Sequence, residues 1–190
     1  QLRKGIFGAR SEVHGRKPLE DHLVSGVRIK PLFAPDHSPE MEFIKQMIKA
    51  RERIDFAVFT FSQSSGIDDA LANAKRLGLS IQGILDAKQA NQTWAAKPTL
   101  SEAGITLYKN KNGTGVRKVH HKLMTIDDRL TIIGSFNYTA PANLTNDENI
   151  IVIGDLGTRD PQSMEAQQEL ALYARSEIDR IIRDQAIEID

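Results

Sequence analysis

The chain has 190 residues, enough for one domain with a substantial buried core. Its 25 Lys and Arg residues balance 25 Asp and Glu residues, so the net charge indicates neither a nucleic-acid coat protein nor a membrane-surface protein. The sequence contains no cysteine, which excludes disulfides and thiolate metal ligands, and no stretch has the length and apolar character of a membrane span.

The first segment, residues 1–25, is predicted to be linker-like because it mixes basic, polar and glycine residues without a sustained period. It contains His14, Arg16 and Asp21, whose spacing weakly resembles that of a motif described below. Gly15 and Pro18 interrupt this stretch, so we expect no site there. Because the chain begins with Gln1 and not Met, we expect that a signal peptide or a longer protein precedes it. The functional domain is predicted over residues 26–190.

From Gly26 onward, short apolar runs alternate with helical patterns. Strands are predicted at residues 27–33, 54–61, 79–85, 105–108 (an edge strand), 118–126, 130–134 and 149–153. Helices are predicted from Ser38 and Pro39 with the apolar stripe Met41, Ile44, Met47 and Ile48, at 67–77, at 99–103, near Asn137, and from Asp160 to about Asp184 with the stripe Ala171, Ala174, Ile178 and Ile181 or Ile182. This order predicts an α/β fold, a mixed sheet with helices on both faces.

The most informative stretch is Val119-His120-His121-Lys122-Leu123-Met124-Thr125-Ile126-Asp127. Alternation along a strand places His120 and Lys122 on one face and His121 on the other, where it is expected to be a packed or rim residue. An imidazole and an ammonium on one face can engage the same phosphate group. Asp127 lies beside a tight turn, where Asp commonly accepts hydrogen bonds from backbone amides, so we expect it to be structural.

A second polar cluster follows at Gly134-Ser135-Phe136-Asn137, on the neighbouring segment. Gly134 allows close approach of the backbone, and Ser135 and Asn137 add a hydroxyl and an amide as hydrogen-bond donors to phosphoryl oxygens. A nucleophilic histidine also needs a carboxylate on its other nitrogen. Glu148 is the candidate for that orienting carboxylate, and Asp147 is its local rival.

The surrounding charge favours an anionic substrate. Residues 105–126 carry five basic residues and no Asp or Glu, which places positive potential around the motif. Lys118, two residues before His120, is the basic residue that we expect to contact substrate. The histidines His22 and His37 have no partners at metal-ligand spacing, so we expect no metal site there. Trp94, in a polar loop, is interpreted either as an ordinary half-buried aromatic or as a residue that contacts a lipid surface or a base.

The pattern His120-x-Lys122-x4-Asp127, followed by x6-Gly134-Ser135-x-Asn137, resembles the HKD signature of the phospholipase D superfamily at every defining position. Tyr138-Thr139 and the stretch at 146–149 are similar to the same region of the small bacterial endonucleases of that family. The resemblance extends over about residues 26–184.

The resemblance implies a two-step reaction in which one HKD histidine forms a covalent phosphohistidine and a second HKD histidine protonates the leaving oxygen. It implies that His120 is nucleophile or acid, that Lys122 and Asn137 bind phosphate, that Ser135 supports the site and that Glu148 orients His120. No metal or other cofactor is implied. Because the signature occurs once, the chain is expected to be half of an active site.

Two sources of the second motif stay open. The chain either forms a homodimer about a two-fold axis or is the C-terminal half of a two-motif protein, and the linker-like start favours the second. The substrate is expected to be a phosphodiester, with phospholipid preferred and DNA or RNA, cleaved by a homodimer, as the alternative. A non-catalytic half that binds phosphate or a partner is a further alternative. The sequence leaves the compartment open.

Overall fold

The structure is a computed structural model that describes residues 20–63 and 65–189. His14, Arg16 and most of the segment 1–25 lie outside the described residues. The strands are β1 His22–Val24, β2 Val27–Ala34, β3 Arg53–Val58, β4 Ser80–Leu85, β5 Thr106–Asn110, β6 Lys122–Ile126, β7 Leu130–Gly134, β8 Glu148–Ile153 and β9 Ala186–Ile189. The helices are α1 Pro39–Lys49, α2 Ile67–Arg76, α3 Ala87–Ala90, α4 Lys97–Glu102, α5 Ala140–Leu144 and α6 Pro161–Gln185.

The described strands form one nine-stranded mixed sheet in the order β1-β2-β8-β7-β6-β3-β4-β5-β9. The pairs β3–β4 and β4–β5 are parallel, and the other pairs are antiparallel. One face packs against α1, α2 and α4, whose Phe43, Leu71 and Leu100 belong to the larger core. The other face packs against α6 through Ile178 and Ile181. The predicted α/β class with helices on both faces is confirmed.

The directions of the central strands explain where the polar motifs meet. Strand β3 is antiparallel to β6, β6 to β7, and β7 to β8. The last residue of β3, Val58, is therefore paired with the first residue of β6, Lys122. The end of β7 at Gly134 and the start of β8 at Glu148 reach the same edge of the sheet. Residues that lie far apart in sequence thus converge where β3 and β7 end and β6 and β8 begin. We call this end of the strands the sheet edge.

Strands β1 and β9 were not predicted from the sequence, and β9 changes a prediction. Strand β9 pairs antiparallel with β5, so the strand predicted at 105–108 is an interior strand and its assignment as an edge strand is wrong. Strand β1 lies inside the segment interpreted as linker-like and pairs with β2. Both strands are short; β9 follows the strong helical pattern of α6, and β1 precedes the strand pattern of β2. The alternation of apolar and polar residues within them is therefore hard to detect. The boundary of the domain at residue 26 stays a prediction.

The first helix also differs from its predicted pattern. Met41 and Ile48 of the predicted apolar stripe are exposed, whereas Phe43 and Met47 face the core. Ser38 is at the N-cap position with φ 47°, but its side chain makes no capping hydrogen bond. The stripe is therefore rotated from the predicted one, because the helix packs through Phe43 onto Phe136 and Tyr138 of the motif region.

The long C-terminal helix agrees with its prediction. Asp160 caps α6 by accepting a hydrogen bond from the Ser163 N–H at 3.0 Å. Ala171, Ile178 and Ile181 are buried, and the last two pack in the smaller core with the sheet.

Candidate active site

His120 lies at the sheet edge, just before β6. The strand predicted over 118–126 begins only at Lys122, so its first four residues are not strand. Two hydrogen bonds nevertheless hold this segment: Val119 N–H donates to the buried Asp86 carboxylate at 3.2 Å, and His121 C=O accepts from Phe59 N–H at 2.9 Å. The His120 side chain is exposed between these two anchors. The backbone on both sides of His120 is thus held in place, and its imidazole remains open to substrate.

Lys122 stands beside His120, as the motif predicts. Its side chain is only 9% exposed, and its Nζ donates to the His120 carbonyl at 3.0 Å. The ring of Phe59 contacts both residues. The centroid of that ring is 4.6 Å from the centroid of the His120 ring and 5.3 Å from Lys122 Nζ.

The charges around His120 favour its neutral form. The ammonium of Lys122 is the main cause that lowers the pKa of His120, followed by partial desolvation and the charge of Lys118, while the Asp86 carboxylate acts in the opposite direction. Burial lowers the pKa of Lys122, and the charge of Glu148 opposes that shift. A histidine whose pKa lies below its ordinary value carries a free lone pair at neutral pH, which a nucleophile requires.

We expect Lys118→Ala to raise the pKa of His120, because the variant removes one of the charges that disfavour the imidazolium. The acid limb of the pH profile of kcat/KM should move to higher pH, since His120 must then be deprotonated at a higher pH to act as nucleophile. Histidine NMR titration measures the pKa directly. Lys111→Ala removes an exposed charge from the same basic segment and should leave the pKa of His120 unchanged; equal shifts in both variants would contradict the assignment.

Ser135 and Glu148 form a compact network at the ends of β7 and β8. Ser135 Oγ donates to Glu148 Oε2 at 2.5 Å and accepts from Asn149 N–H at 3.0 Å. The second oxygen of Glu148 accepts from Asn146 at 3.1 Å. Within residues 20–63 and 65–189, no hydrogen bond joins Glu148 to the His120 ring. Its role as the orienting carboxylate stays a prediction, and the contact that the structure shows is with Ser135.

Asn137 is held by a residue from outside the motif. Its Oδ1 accepts from Thr60 N–H at 3.3 Å, and Thr60 C=O accepts from Tyr138 N–H at 3.0 Å. In the part of the chain that the structure describes, the amide NH2 of Asn137 makes no hydrogen bond, so it can donate to a phosphoryl oxygen.

Gly134 has a packing reason to be glycine. A Cβ at this position would lie 2.1 Å from the backbone oxygen of Asn149, which no side chain tolerates. The glycine thus allows close contact between β7 and β8, and this contact places Ser135 next to Glu148.

Asp127 and His121 lie away from this cluster. The Asp127 carboxylate accepts hydrogen bonds from the backbone N–H groups of Arg51, Glu52 and Arg53 at the opposite end of β3. It therefore joins the β6–β7 turn to the start of β3. His121 points toward α6, where its Nε2 is 3.3 Å from Glu177.

Three residues near the motif were missed by the sequence analysis: Phe59, Thr60 and Asp86. Phe59 and Thr60 follow β3, and Asp86 follows β4 and also caps α3 by accepting from the N–H groups of Lys88 and Gln89. A polar or aromatic residue directly after a buried strand was the available signal, because strand ends collect functional residues in α/β folds.

Comparisons with known proteins show the family of the chain. The family model described as "Cardiolipin synthase, PLD-like domain" matches residues 43–178, more than half of the chain. The chain belongs to the phospholipase D-like family. The matched range contains every motif residue from His120 to Glu148.

Two curated relatives of this phospholipase D-like chain illustrate the similarity. A mitochondrial cardiolipin hydrolase from Chlamydomonas reinhardtii is 31% identical over 121 residues, which are 63% of this chain and 52% of the relative. A phospholipase D from Rickettsia bellii is 32% identical over 136 residues, which are 70% of this chain and 64% of the relative. The chain thus spans about half to two thirds of the length of these relatives.

Solved structures show the same fold. The phospholipase D family member Nuc from Salmonella typhimurium superposes with a TM-score of 0.72 at 20% identity, covering 86% of this chain and 98% of Nuc. NucT from Helicobacter pylori gives a TM-score of 0.67 at 20% identity, covering 84% of this chain and 98% of NucT.

The described residues contain no group of three or more His, Cys, Asp or Glu side chains arranged to hold a metal ion. Across the same residues, the helices are all too short or too polar to span a bilayer.

Proposed function

We propose that the chain supplies one half of the active site of a metal-independent phosphodiesterase of the phospholipase D type. The observation that carries the proposal is the exposed imidazole of His120, which has a lowered pKa and lies beside the ammonium of Lys122. Asn137, at the same sheet edge, adds a free amide donor. This combination offers a nucleophile together with donors for the charge that develops on a phosphoryl group.

The proposed reaction uses these groups in two steps. The His120 lone pair attacks phosphorus, a P–N bond forms, and the P–O bond to the leaving alcohol breaks. The alkoxide takes a proton from the histidine of a second HKD half, and that histidine then removes a proton from water, whose oxygen attacks phosphorus and releases His120. Lys122 and Asn137 stabilise the non-bridging oxygens throughout, and Ser135 and Glu148 support the edge of the site.

The second HKD half needs a docking surface next to the motif. Strand alternation places Pro31, Ile151 and Ile133 in one row across β2, β8 and β7, on the sheet face that carries α6. Helix α6 leaves this row open: Ile133 is 44% and Ile151 is 37% exposed, and Phe33 beside them is 47% exposed. We call Pro31, Phe33, Ile133 and Ile151 the open sheet face. It adjoins Ser135, only two residues beyond Ile133.

An exposed apolar sheet face is typical of a protein–protein interface. A partner that docks there is brought to the edge that holds His120, so the open sheet face fits a second copy of this chain or an N-terminal half of the same protein. Either source supplies the missing histidine.

We prefer phospholipid as the substrate class. The curated relatives described above are named phospholipase D and cardiolipin hydrolase. Nucleic acid is the second candidate, and two observations favour it. Arg117 and Lys118 are exposed beside His120 in a stretch without acidic residues. Trp94 is 41% exposed, and its carbonyl accepts a hydrogen bond from Gln63 N–H at 3.1 Å; its exposed ring is of the kind on which a base can stack.

The test combines mass and activity on one sample. The mass in solution is measured, and the same preparation is assayed in chelator against a choline phospholipid and single-stranded DNA. Hydrolysis that persists in chelator supports the proposed mechanism, and the preferred substrate separates the two candidates. Loss of activity in chelator would contradict it. A dimer that is inactive on both substrates and traps no phosphohistidine would instead indicate the non-catalytic, phosphate-binding half.

A further inference from the structure

Phe59 lies at the centre of the candidate site although no motif includes it. It is the first residue after β3 and is half-buried. Its N–H donates to the carbonyl of His121 at 2.9 Å, which ties its backbone to the motif segment. The pairing of β3 with β6 therefore determines where its ring lies.

The phenyl ring contacts His120 and Lys122, which the proposed reaction uses, and Lys118, which we expect to contact substrate. Its centroid is 4.6 Å from the centroid of the His120 imidazole, with the two planes inclined by 44°. Lys122 Nζ is 5.3 Å and Lys118 Nζ is 5.9 Å from the same centroid. These distances are within the range of aromatic and cation–π contacts.

His120 has little else to hold its side chain. Among the described residues, no hydrogen bond to the His120 ring is present, and the ring is exposed on its outer side. An exposed imidazole without a partner samples several rotamers, and a lysine ammonium samples more. The Phe59 ring is in contact with the His120 imidazole and with both lysine ammonium groups.

We propose that Phe59 is a positioning residue of the active site, whose ring holds the imidazole of His120 and the ammonium groups of Lys118 and Lys122 in one arrangement facing the phosphate. A phenyl ring suits this role because it attracts an ammonium without cancelling its charge. A carboxylate at the same place would pair with the lysines and remove the positive potential that an anionic substrate needs.

Thr60, the next residue, also positions a group of the candidate site. Thr60 N–H donates to Asn137 Oδ1 at 3.3 Å and so orients the amide that the proposed reaction uses to bind phosphate. The two residues that follow β3 thus contact His120, Lys122 and Asn137 together.

The test compares Phe59→Leu, which keeps apolar bulk without an aromatic face, with Phe59→Tyr, which keeps the face. The activity readout depends on the proposed function; the NMR readout does not. For Phe59→Leu we expect kcat to fall about 10- to 100-fold with a much smaller change in KM, because the reacting groups are misplaced while most substrate contacts remain. Phe59→Tyr should restore kcat to near that of the unmodified protein.

The NMR readout is the His120 ring resonance. In the unmodified protein the aromatic ring current displaces the His120 proton shifts; Phe59→Leu should lose this displacement and Phe59→Tyr should keep it. Tyr173→Leu, an aromatic change at an exposed position of α6, is the matched control and should alter neither readout.

The outcomes separate the two proposals. Unchanged His120 resonances in Phe59→Leu would overturn the positioning role, and so would an unchanged kcat in an active protein. A folded Phe59→Tyr that is as impaired as Phe59→Leu would also overturn it. If the unmodified protein hydrolyses no phosphodiester while the His120 resonances still follow the aromatic face, the proposed function fails and the positioning of His120 by Phe59 stands.

Discussion

His120→Ala should abolish phosphodiester hydrolysis, with a loss of at least about 10⁴-fold in kcat, because no other group at this edge replaces the nucleophile. The phosphohistidine trapped by rapid alkaline quench, which preserves the acid-labile P–N bond, should disappear in the same variant. In a homodimer each site needs two copies of His120. When chains with and without the substitution are mixed, activity should therefore fall more steeply than in proportion to the fraction of unmodified chain.

His121→Ala is the matched control for this experiment. It removes the adjacent imidazole, which faces Glu177 of α6 and lies outside the candidate site. Its activity should remain within a few-fold of that of the unmodified protein. If the two variants lost activity equally, the assignment of His120 as the reacting histidine would be wrong.

The second large effect is expected at the open sheet face. Ile151→Asp places a carboxylate at the middle of that face, where docking would bury it without a partner at a cost of several kcal/mol. We expect the mass in solution to fall from two chains to one in a homodimer, and the specific activity to fall about 100-fold or more. Light scattering and the phosphodiesterase assay measure the two effects on one sample.

Leu77→Asp is the control, since Leu77 is also apolar and exposed, follows α2, and lies before the start of β4, away from the open sheet face. It should change neither mass nor activity. An Ile151→Asp protein that keeps both the mass and the activity of the unmodified chain would contradict the docking surface. If the chain is the C-terminal half of a longer protein, the same substitution should instead prevent rescue by the separate N-terminal half.

The linear motif made much of the site predictable. His120, Lys122, Ser135 and Asn137 lie on two consecutive strands or directly beside them, so short-range alternation and a tight turn are enough to bring them together. The α/β class followed in the same way from the alternation of apolar runs and helical stripes. The electrostatic reason for the lowered pKa of His120 was absent from that reasoning, since it is the charge of Lys122, which the folded chain holds next to His120.

Other predictions failed for identifiable reasons. The strand predicted at 118–126 lost its first four residues because this segment bonds to Asp86 and Phe59 and does not continue the sheet ladder. The strand predicted at 105–108 became interior because β9, at the far end of the sequence, adds to it. Both outcomes depend on long-range contacts, which local pattern does not contain.

The sequence by itself determined the motif on which the proposed chemistry rests: a histidine and a lysine two residues apart, a nearby serine and asparagine, and no second copy of the motif. Only the tertiary structure decided which residues surround that chemistry. Phe59 and Thr60 reach His120 and Asn137 because β3 pairs with β6, and Glu148 meets Ser135 because Gly134 admits the backbone of β8. The open sheet face exists because α6 covers only part of the sheet. Alternation fixes which face a side chain takes, but pairing and coverage arise only when distant segments pack together.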